Sequence, residues 1–188
     1  MSGPEDDFGA LLRRARGYDR DGFGELYRRS VGPVFRYCRS RADSTSEAEE
    51  LTQEVFMAAL AGIERVRADS EAAWLAWLFQ IARNKHADAL RRRYRRPQAP
   101  LEAAGDAVDG ATPALDGLVA ADDRAEVRRA LEQLTAEQRE VIVCKYVLGY
   151  DNSRTGELIG KNANAVNQLH FRAVTSLRRL LGGDGGRS

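Results

Sequence analysis

The sequence predicts an all-α protein, with two small helical domains joined by a flexible acidic linker and a helix-turn-helix in the second. Three observations carry this expectation. Apolar residues recur at spacings of three and four towards both ends of the chain, and no convincing strand pattern interrupts them. A stretch rich in proline, glycine and alanine separates the two periodic regions. The charge is also partitioned, so that a net of +1 hides basic, acidic and basic blocks in series.

Of the 188 residues, 43% are hydrophobic and 30% are charged, which excludes a wholly disordered chain. Apolar stretches such as 72–78 fall far short of the roughly 20 residues a spanning helix needs, so no membrane insertion is expected. The acidic start of the chain has no basic segment leading into an apolar run, and the cytoplasm is the expected compartment.

The first domain is expected over 8–96. Phe23, Leu26, Tyr27, Val31, Val34, Phe35 and Cys38 mark a helix with one apolar face, interrupted by Gly32 and Pro33, so that it is either two helices or one with a bend. Ser46 and Glu49 form a candidate capping box for the next helix, which Gly62 ends and whose apolar stripe is Leu51, Val55, Phe56, Ala59 and Leu60. A polar segment, 64–71, precedes a helix from about Ala72, which buries part of the run from Trp74 to Ala82 and leads into an arginine cluster. That cluster places Arg83, Lys85, Arg91, Arg92, Arg93, Arg95 and Arg96 within 14 residues, with Asp88 as the one acid. Seven positive charges at that density repel one another unless a polyanion or water screens them, so the segment is either a phosphate-binding surface or a solvated helix end.

Residues 97–123 contain six acids and no basic residue, with Pro97, Pro100 and Pro113 spaced among glycines and alanines. Such a composition buries too little apolar surface to offset backbone ordering, and it reads as the linker, with a short turn at 114–118. The second domain is expected over 124–181. It opens with Val127, Leu131 and Leu134, and Thr135 with Gln138 forms a capping box before Val141, Ile142, Cys144 and Tyr146. Gly149 closes that helix, Asp151 caps a short one ending at Ile159 and Gly160, and Asn162 caps a longer one through Leu181. This spacing matches a helix-turn-helix. The second helix carries Asn164, Asn167, Gln168, His170, Phe171 and Arg172, and no acid occurs over 161–181. Asn and Gln suit bidentate contacts to adenine, while Lys161, Arg172, Arg178 and Arg179 suit phosphates.

Enzyme signatures are missing. His86 and His170 lie in different domains without a cysteine cluster, no phosphate-binding glycine motif occurs, and Cys38 and Cys144 fall on apolar faces where inert core thiols are expected. No catalytic residue, cofactor or metal site is therefore expected. From the residues alone, a helix-turn-helix regulator and a helical protein-interaction adaptor both stay open.

Three stretches narrow the choice: 48–56 (AEELTQEVF), 74–92 (WLAWLFQIARNKHADALRR) and 134–142 (LTAEQREVI), the last continuing through Gly149, 157–160, Ala165, Val166, Arg172 and Ala173. In this order and spacing they resemble the extracytoplasmic-function (ECF) group of the sigma-70 family of bacterial RNA polymerase sigma factors, and the likeness covers nearly the whole chain. The resemblance implies that the first domain binds core RNA polymerase through Glu49, Glu50, Gln53, Glu54 and Phe56. It implies that 63–73 is a loop receiving a flipped base of the −10 element. Asn84, Lys85, Asp88, Arg91, Arg92, Arg93, Arg95 and Arg96 are the expected −10 contacts. The second domain would then read the −35 duplex through Lys161, Asn164, Asn167, Gln168, Phe171 and Arg172. Many members are held inactive by an anti-sigma factor, which makes one a candidate partner. This chain departs from the family pattern at Asn167, Gln168 and His170 in the second helix, and at Thr155 and Gly156 in the first. The latter pair is expected to weaken the hairpin, since glycine costs about 1 kcal/mol inside a helix.

Overall fold

The computed structural model describes residues 4–95 and 121–182, and among them every regular element is helical. The chain divides near residue 110 into two units, each with its own core. Most of the expected linker and Arg96 lie outside the described residues.

The first unit holds α1 (Pro4–Arg16), α2 (Arg20–Arg39), α3 (Thr45–Gly62), a short 3-10 turn (Ile63–Arg65) and α4 (Glu71–Arg95). On α1, Phe8, Leu11, Leu12 and Ala15 are buried at helical spacing. Asp19 caps α2, its side chain accepting from the backbone N–H groups of Asp21 and Gly22 at 3.0 and 3.3 Å. Pro33 lies inside α2, which continues past it as one helix. Two stripes run side by side along α2. Leu26, Ser30, Val34, Tyr37 and Cys38 are buried, whereas Tyr27 is exposed and Phe23, Val31 and Phe35 are only partly covered.

The N-cap of α3 is Ser44, two residues before the Ser46 of the expected capping box, and the reciprocal bond of such a box is replaced by one to Asp43. Ser44 accepts from the Glu47 N–H at 3.1 Å, and the Glu47 carboxylate accepts from the Asp43 N–H at 2.7 Å. The Ser46–Glu49 pair has the same spacing, but the N–H of the fully buried Ala48 already donates to the Ser44 carbonyl at 3.1 Å, so the helix has begun before Ser46. α4 is locked to α2 by a buried hydrogen bond from Trp74 Nε1 to Ser30 Oγ at 2.7 Å and by Tyr37 stacked on Phe79 at 4.2 Å. Trp74 is thus a core residue, as expected, while Trp77 is half-buried.

The second unit holds α5 (Ala121–Glu132), α6 (Ala136–Ile142) running into a wider π-type turn (Val143–Val147), α7 (Asn152–Ile159) and α8 (Ala163–Gly182). α5 begins at Ala121, inside the stretch expected to be linker. The Arg139 guanidinium donates to the Leu131 and Glu132 carbonyls at 2.8 and 2.7 Å, capping the end of α5. The expected Thr135–Gln138 capping box is present, and Asp151 caps α7. Gly149 and Gly160 take left-handed φ angles of 73° and 69°, and Asn162 caps α8 by accepting from the Ala165 N–H at 2.8 Å. Leu134, Ile142 and Ala173 form the centre of the packing, with Leu131, Val174 and Leu177 against them.

Gly156 does the opposite of what helix propensity suggests. A Cβ there would sit 2.3 Å from the Lys161 carbonyl oxygen, and the Lys161 N–H donates to the Gly156 carbonyl at 2.9 Å. The turn folds back so closely on α7 that hydrogen is the one side chain that fits. Thr155 is the costly neighbour, fully buried with a hydroxyl that has no hydrogen-bond partner among the described residues.

Candidate functional site

The second stripe of α2 and the adjoining face of α3 enclose an open groove of about 490 Å³. Phe23, Tyr27, Val31 and Phe35 form one wall, and Phe56, Met57 and Leu60 form much of the other. Phe56 is its buried floor, edge-on to Tyr27 at a ring separation of 4.7 Å. Met57 is 63% exposed at the lip. Glu49 and Gln53 supply a polar rim. The expected polymerase-binding residues therefore divide. Glu49, Gln53 and Phe56 meet in the groove, whereas Glu50 and Glu54 are exposed and do not line it. Glu54 lies 3.7 Å from Lys85 of α4, which joins a residue expected to meet polymerase to one expected to meet DNA. Tyr27 and Leu60 read in sequence as part of the buried stripes and Met57 as part of neither stripe nor contact set, so none of the three is an expected contact.

The segment after α3 is pinned at several points. Ile63, Val66 and Ala68 are buried, while Glu64, Arg65, Arg67 and Asp69 face solvent. The Arg16 guanidinium donates to the carbonyls of Val66 and Ala68, the second at 3.3 Å. Ser70 accepts from the Ala73 N–H at 3.2 Å and starts α4. At the end of α1, Tyr18 stands in the left-handed region at φ 58°, and hydrogen bonding to the Glu64 carboxylate raises its phenol pKa.

Along α4, Asn84 is exposed and accepts from Gln80 at 3.0 Å. Asp88 pairs with Arg91 at 2.8 Å, and Arg93 reaches Asp43 ahead of α3, also at 2.8 Å. Arg92 is exposed. The described part of the expected cluster is therefore a helix end at which some cations already meet acids of the same unit. Arg95 closes the helix.

α8 presents a different surface. Asn164, Gln168, Phe171, Thr175 and Arg178 recur along one exposed stripe, and Asn167 and Arg172 flank it. Phe171 is 72% exposed, an unusual position for phenylalanine. Beside it lies an open groove of about 720 Å³ that also takes in Tyr146 from the π-type turn. Tyr146 Oη and His170 Nε2 are 2.9 Å apart, and burial, with Lys145 nearby, lowers the pKa of this imidazole. Of the expected −35 residues, five lie together on this face. Lys161 precedes the helix and pairs with Glu137 at 2.7 Å. Tyr146, expected on the apolar run of α6, is instead exposed in the π-type turn.

Burial pushes the Cys38 thiol up to about 11, the state of an inert core thiol, and Cys144 is also buried. Among the described residues there is no cluster of three or more His, Cys, Asp or Glu side chains that could hold a metal ion, and no helix is long and apolar enough to cross a membrane.

Comparison with known proteins gives the family of both units. Residues 26–96 match the Sigma-70 region 2 family and residues 124–177 match the Sigma-70, region 4 family. The ECF RNA polymerase sigma factor BldN of Streptomyces coelicolor is 31% identical over 93% of this chain and 66% of its own length. ShbA of Streptomyces griseus, an ECF sigma factor as well, is 30% identical over 92% of this chain and 94% of its own. Among solved structures, the sigma factor RpoE of Bartonella quintana, in complex with the anti-sigma factor NepR, has the same fold, with a TM-score of 0.56 and 23% identity over 86% of this chain and 98% of that one. The chain belongs to the ECF group of RNA polymerase sigma factors, which act with core RNA polymerase on promoter DNA to initiate transcription.

Proposed function

We propose that the two units divide the work of promoter recognition, with 8–96 engaging core polymerase and the −10 element, 97–123 serving as the acidic linker, and 124–181 reading the −35 element. The observation that carries this reading is that an apolar groove and an acid-free polar helix occur on separate units of one chain. Exposed aliphatic and aromatic side chains with a sparse polar rim suit a protein helix laid along the groove. An α8 surface of amides, arginines and one aromatic ring suits a major groove, where amides meet adenine edges and Phe171 meets thymine methyl groups.

In the first unit, Glu49, Gln53 and Phe56 contact polymerase directly, and Glu50 and Glu54 add charge complementary to a basic partner. Asn84, Lys85, Asp88 and the arginines up to Arg96 border the melted strand, with the 63–73 segment receiving the extruded base. Lys161 releases Glu137 to meet a phosphate, and Asn164, Asn167, Gln168, Phe171 and Arg172 face the bases and backbone of the −35 duplex. The protein works in the cytoplasm by binding alone, with no catalytic step or cofactor of its own. An anti-sigma factor competing for the α2–α3 groove is the further partner this reading predicts.

Run-off transcription tests the whole assignment. Pure protein added to sigma-free core polymerase should start transcripts at specific promoters and nowhere else. A protein that binds duplex DNA tightly but starts no transcript with core would be a regulator acting without replacing a sigma factor.

A further inference from the structure

The segment between the 3-10 turn and α4 has an extended, alternating pattern, but among the described residues it pairs with no strand. Val66 and Ala68 turn inward and Arg67 and Asp69 turn outward. With no sheet to fix it, such a backbone would sample several registers, because burying two small side chains constrains it weakly. Arg16, at the last residue of α1, supplies the missing constraint. Its Nη2 alone donates to two carbonyls of alternate residues, Val66 and Ala68, which an extended chain directs to the same side. Arg16 Nε is buried without a hydrogen-bond partner among the described residues, so the side chain holds its position at a cost in solvation. α1 itself is anchored by Phe8, Leu11, Leu12 and Ala15, so the tether runs from a packed helix into the loop.

We propose that Arg16 is a positioning residue for −10 base capture. By fixing the Val66 and Ala68 carbonyls it holds Arg67 and Asp69 on the outer side of the loop, and they are the pair that discriminates the extruded base. This inference rests on the reading of 63–73 as the capture loop. A pocket discriminates bases only if its polar groups stay in place when the wrong base enters, and this tether supplies that rigidity from outside the loop. Arginine is suited to the role because the two N–H groups of its Nη2 are held at fixed directions in a planar group, whereas a lysine ammonium rotates about its last bond and fixes the direction of neither hydrogen bond.

The test uses the full chain with core polymerase and a promoter library randomised at the −10 element, scoring open complexes by sequence. Arg16→Gln should reduce the ratio between best and worst bases at the captured position about tenfold, in line with losing hydrogen bonds from a charged donor. Affinity for core and preference at the −35 element should stay within about twofold, as expected for sites that share no partner with Arg16. Arg16→Lys should fall between the two, and it also carries the test should Arg16→Gln lose helical content. The double substitution Arg67→Ala, Asp69→Ala should flatten preference at the same position. A uniform drop across the library in the Arg16 variants, with its profile unchanged, would make Arg16 a structural support and overturn the proposal. If the loop substitutions alter the profile and both Arg16 variants do not, the loop reading stands and the positioning role falls. If none of the variants alters it, the capture-loop reading itself fails and takes the proposal with it.

Discussion

On α4 the protein supplies acids to several of its own cations. Arg91 meets Asp88, Arg93 meets Asp43, and Lys85 lies near Glu54. On α8 no residue is acidic, and the exposed stripe of amides, arginines and Phe171 meets solvent. The two helices carry charge of the same sign, yet DNA arriving at α4 must displace internal partners, whereas DNA arriving at α8 finds donors in place. The first arrangement suits a contact made only after melting exposes a strand, and the second suits reading a duplex as it stands. The first unit adds the apolar α2–α3 groove, built from helices other than α4, so its proposed protein-binding and DNA-binding faces are chemically distinct.

The groove offers the largest effect by which this contrast can be broken. Met57→Glu places a carboxylate on the lip of an apolar site at a residue 63% exposed, where the fold tolerates it. Affinity for core polymerase should fall by at least about 30-fold, the scale of losing an interface hot spot, while the thermal midpoint barely moves. Fluorescence titration against core polymerase measures the first and a melting curve the second. Core affinity equal to wild type would remove the groove from the polymerase interface.

The next effect lies on α8. Alanine at Asn167 or Gln168 should cost about 1–3 kcal/mol on the preferred −35 sequence and little on a scrambled one, for at least one of the two. Holoenzyme binding to matched and scrambled elements separates base reading from anchoring. Equal losses on both DNAs, for both variants, would put α8 in the same class as α4.

The hairpin that presents α8 is the third place to look. Gly156→Ala should destabilise the second unit by about 1–3 kcal/mol, the range for overpacking, despite the better helix propensity of alanine. Thr155→Val, which removes the unpartnered hydroxyl from a fully buried site, should leave stability unchanged or raise it by about 1 kcal/mol. Urea unfolding of the two variants checks both signs. A stabilised Gly156→Ala would mean that the close approach of the Lys161 carbonyl relaxes at little cost.

How much of this was legible in sequence depends on whether the signal was local. Thr135, Gln138, Asp151, Gly160 and Asn162 were readable because caps and left-handed turns depend on a few adjacent residues. Ser44 was missed because two serines, each with a glutamate three residues on, compete for one cap, and it is the bond from the Ala48 N–H to the Ser44 carbonyl that decides between them. The groove was half-written in the sequence. Phe23, Tyr27, Val31 and Phe35 recur every four residues beside the stripe of Leu26, Ser30, Val34 and Cys38, making an apolar face wider than one neighbouring helix covers. Periodicity gave its width but not which stripe stays open. The Arg16 tether and the Glu54–Lys85 and Lys161–Glu137 pairs were beyond reach, because each joins residues far apart in the chain or across a turn of unknown geometry. Gly156 was misread for the same reason, since its neighbour is a backbone oxygen brought back by the turn.

The smallest expected effect sharpens the comparison most directly, because it compares neighbouring arginines that differ in what they already touch. Arg92 is exposed, while Arg93 holds Asp43 at 2.8 Å with both side chains more than half exposed. An exposed ion pair of this kind is worth at most about 1 kcal/mol, enough to compete with a phosphate but not to exclude it. Arg92→Ala should therefore lower the slope of log affinity against log salt by about 1, equally on different promoter sequences. Arg93→Ala should lower it less, because wild-type Arg93 must first leave its acid. Asp43→Ala should act in the opposite direction, raising promoter affinity by up to about fivefold at low salt as Arg93 is released and a repelling carboxylate is removed. A salt titration of holoenzyme on two unrelated promoters reads all three. Identical slopes for Arg92→Ala and Arg93→Ala, with no gain from Asp43→Ala, would mean that internal pairing on α4 does not restrain its arginines, and the distinction between the two cationic helices would reduce to sequence reading alone.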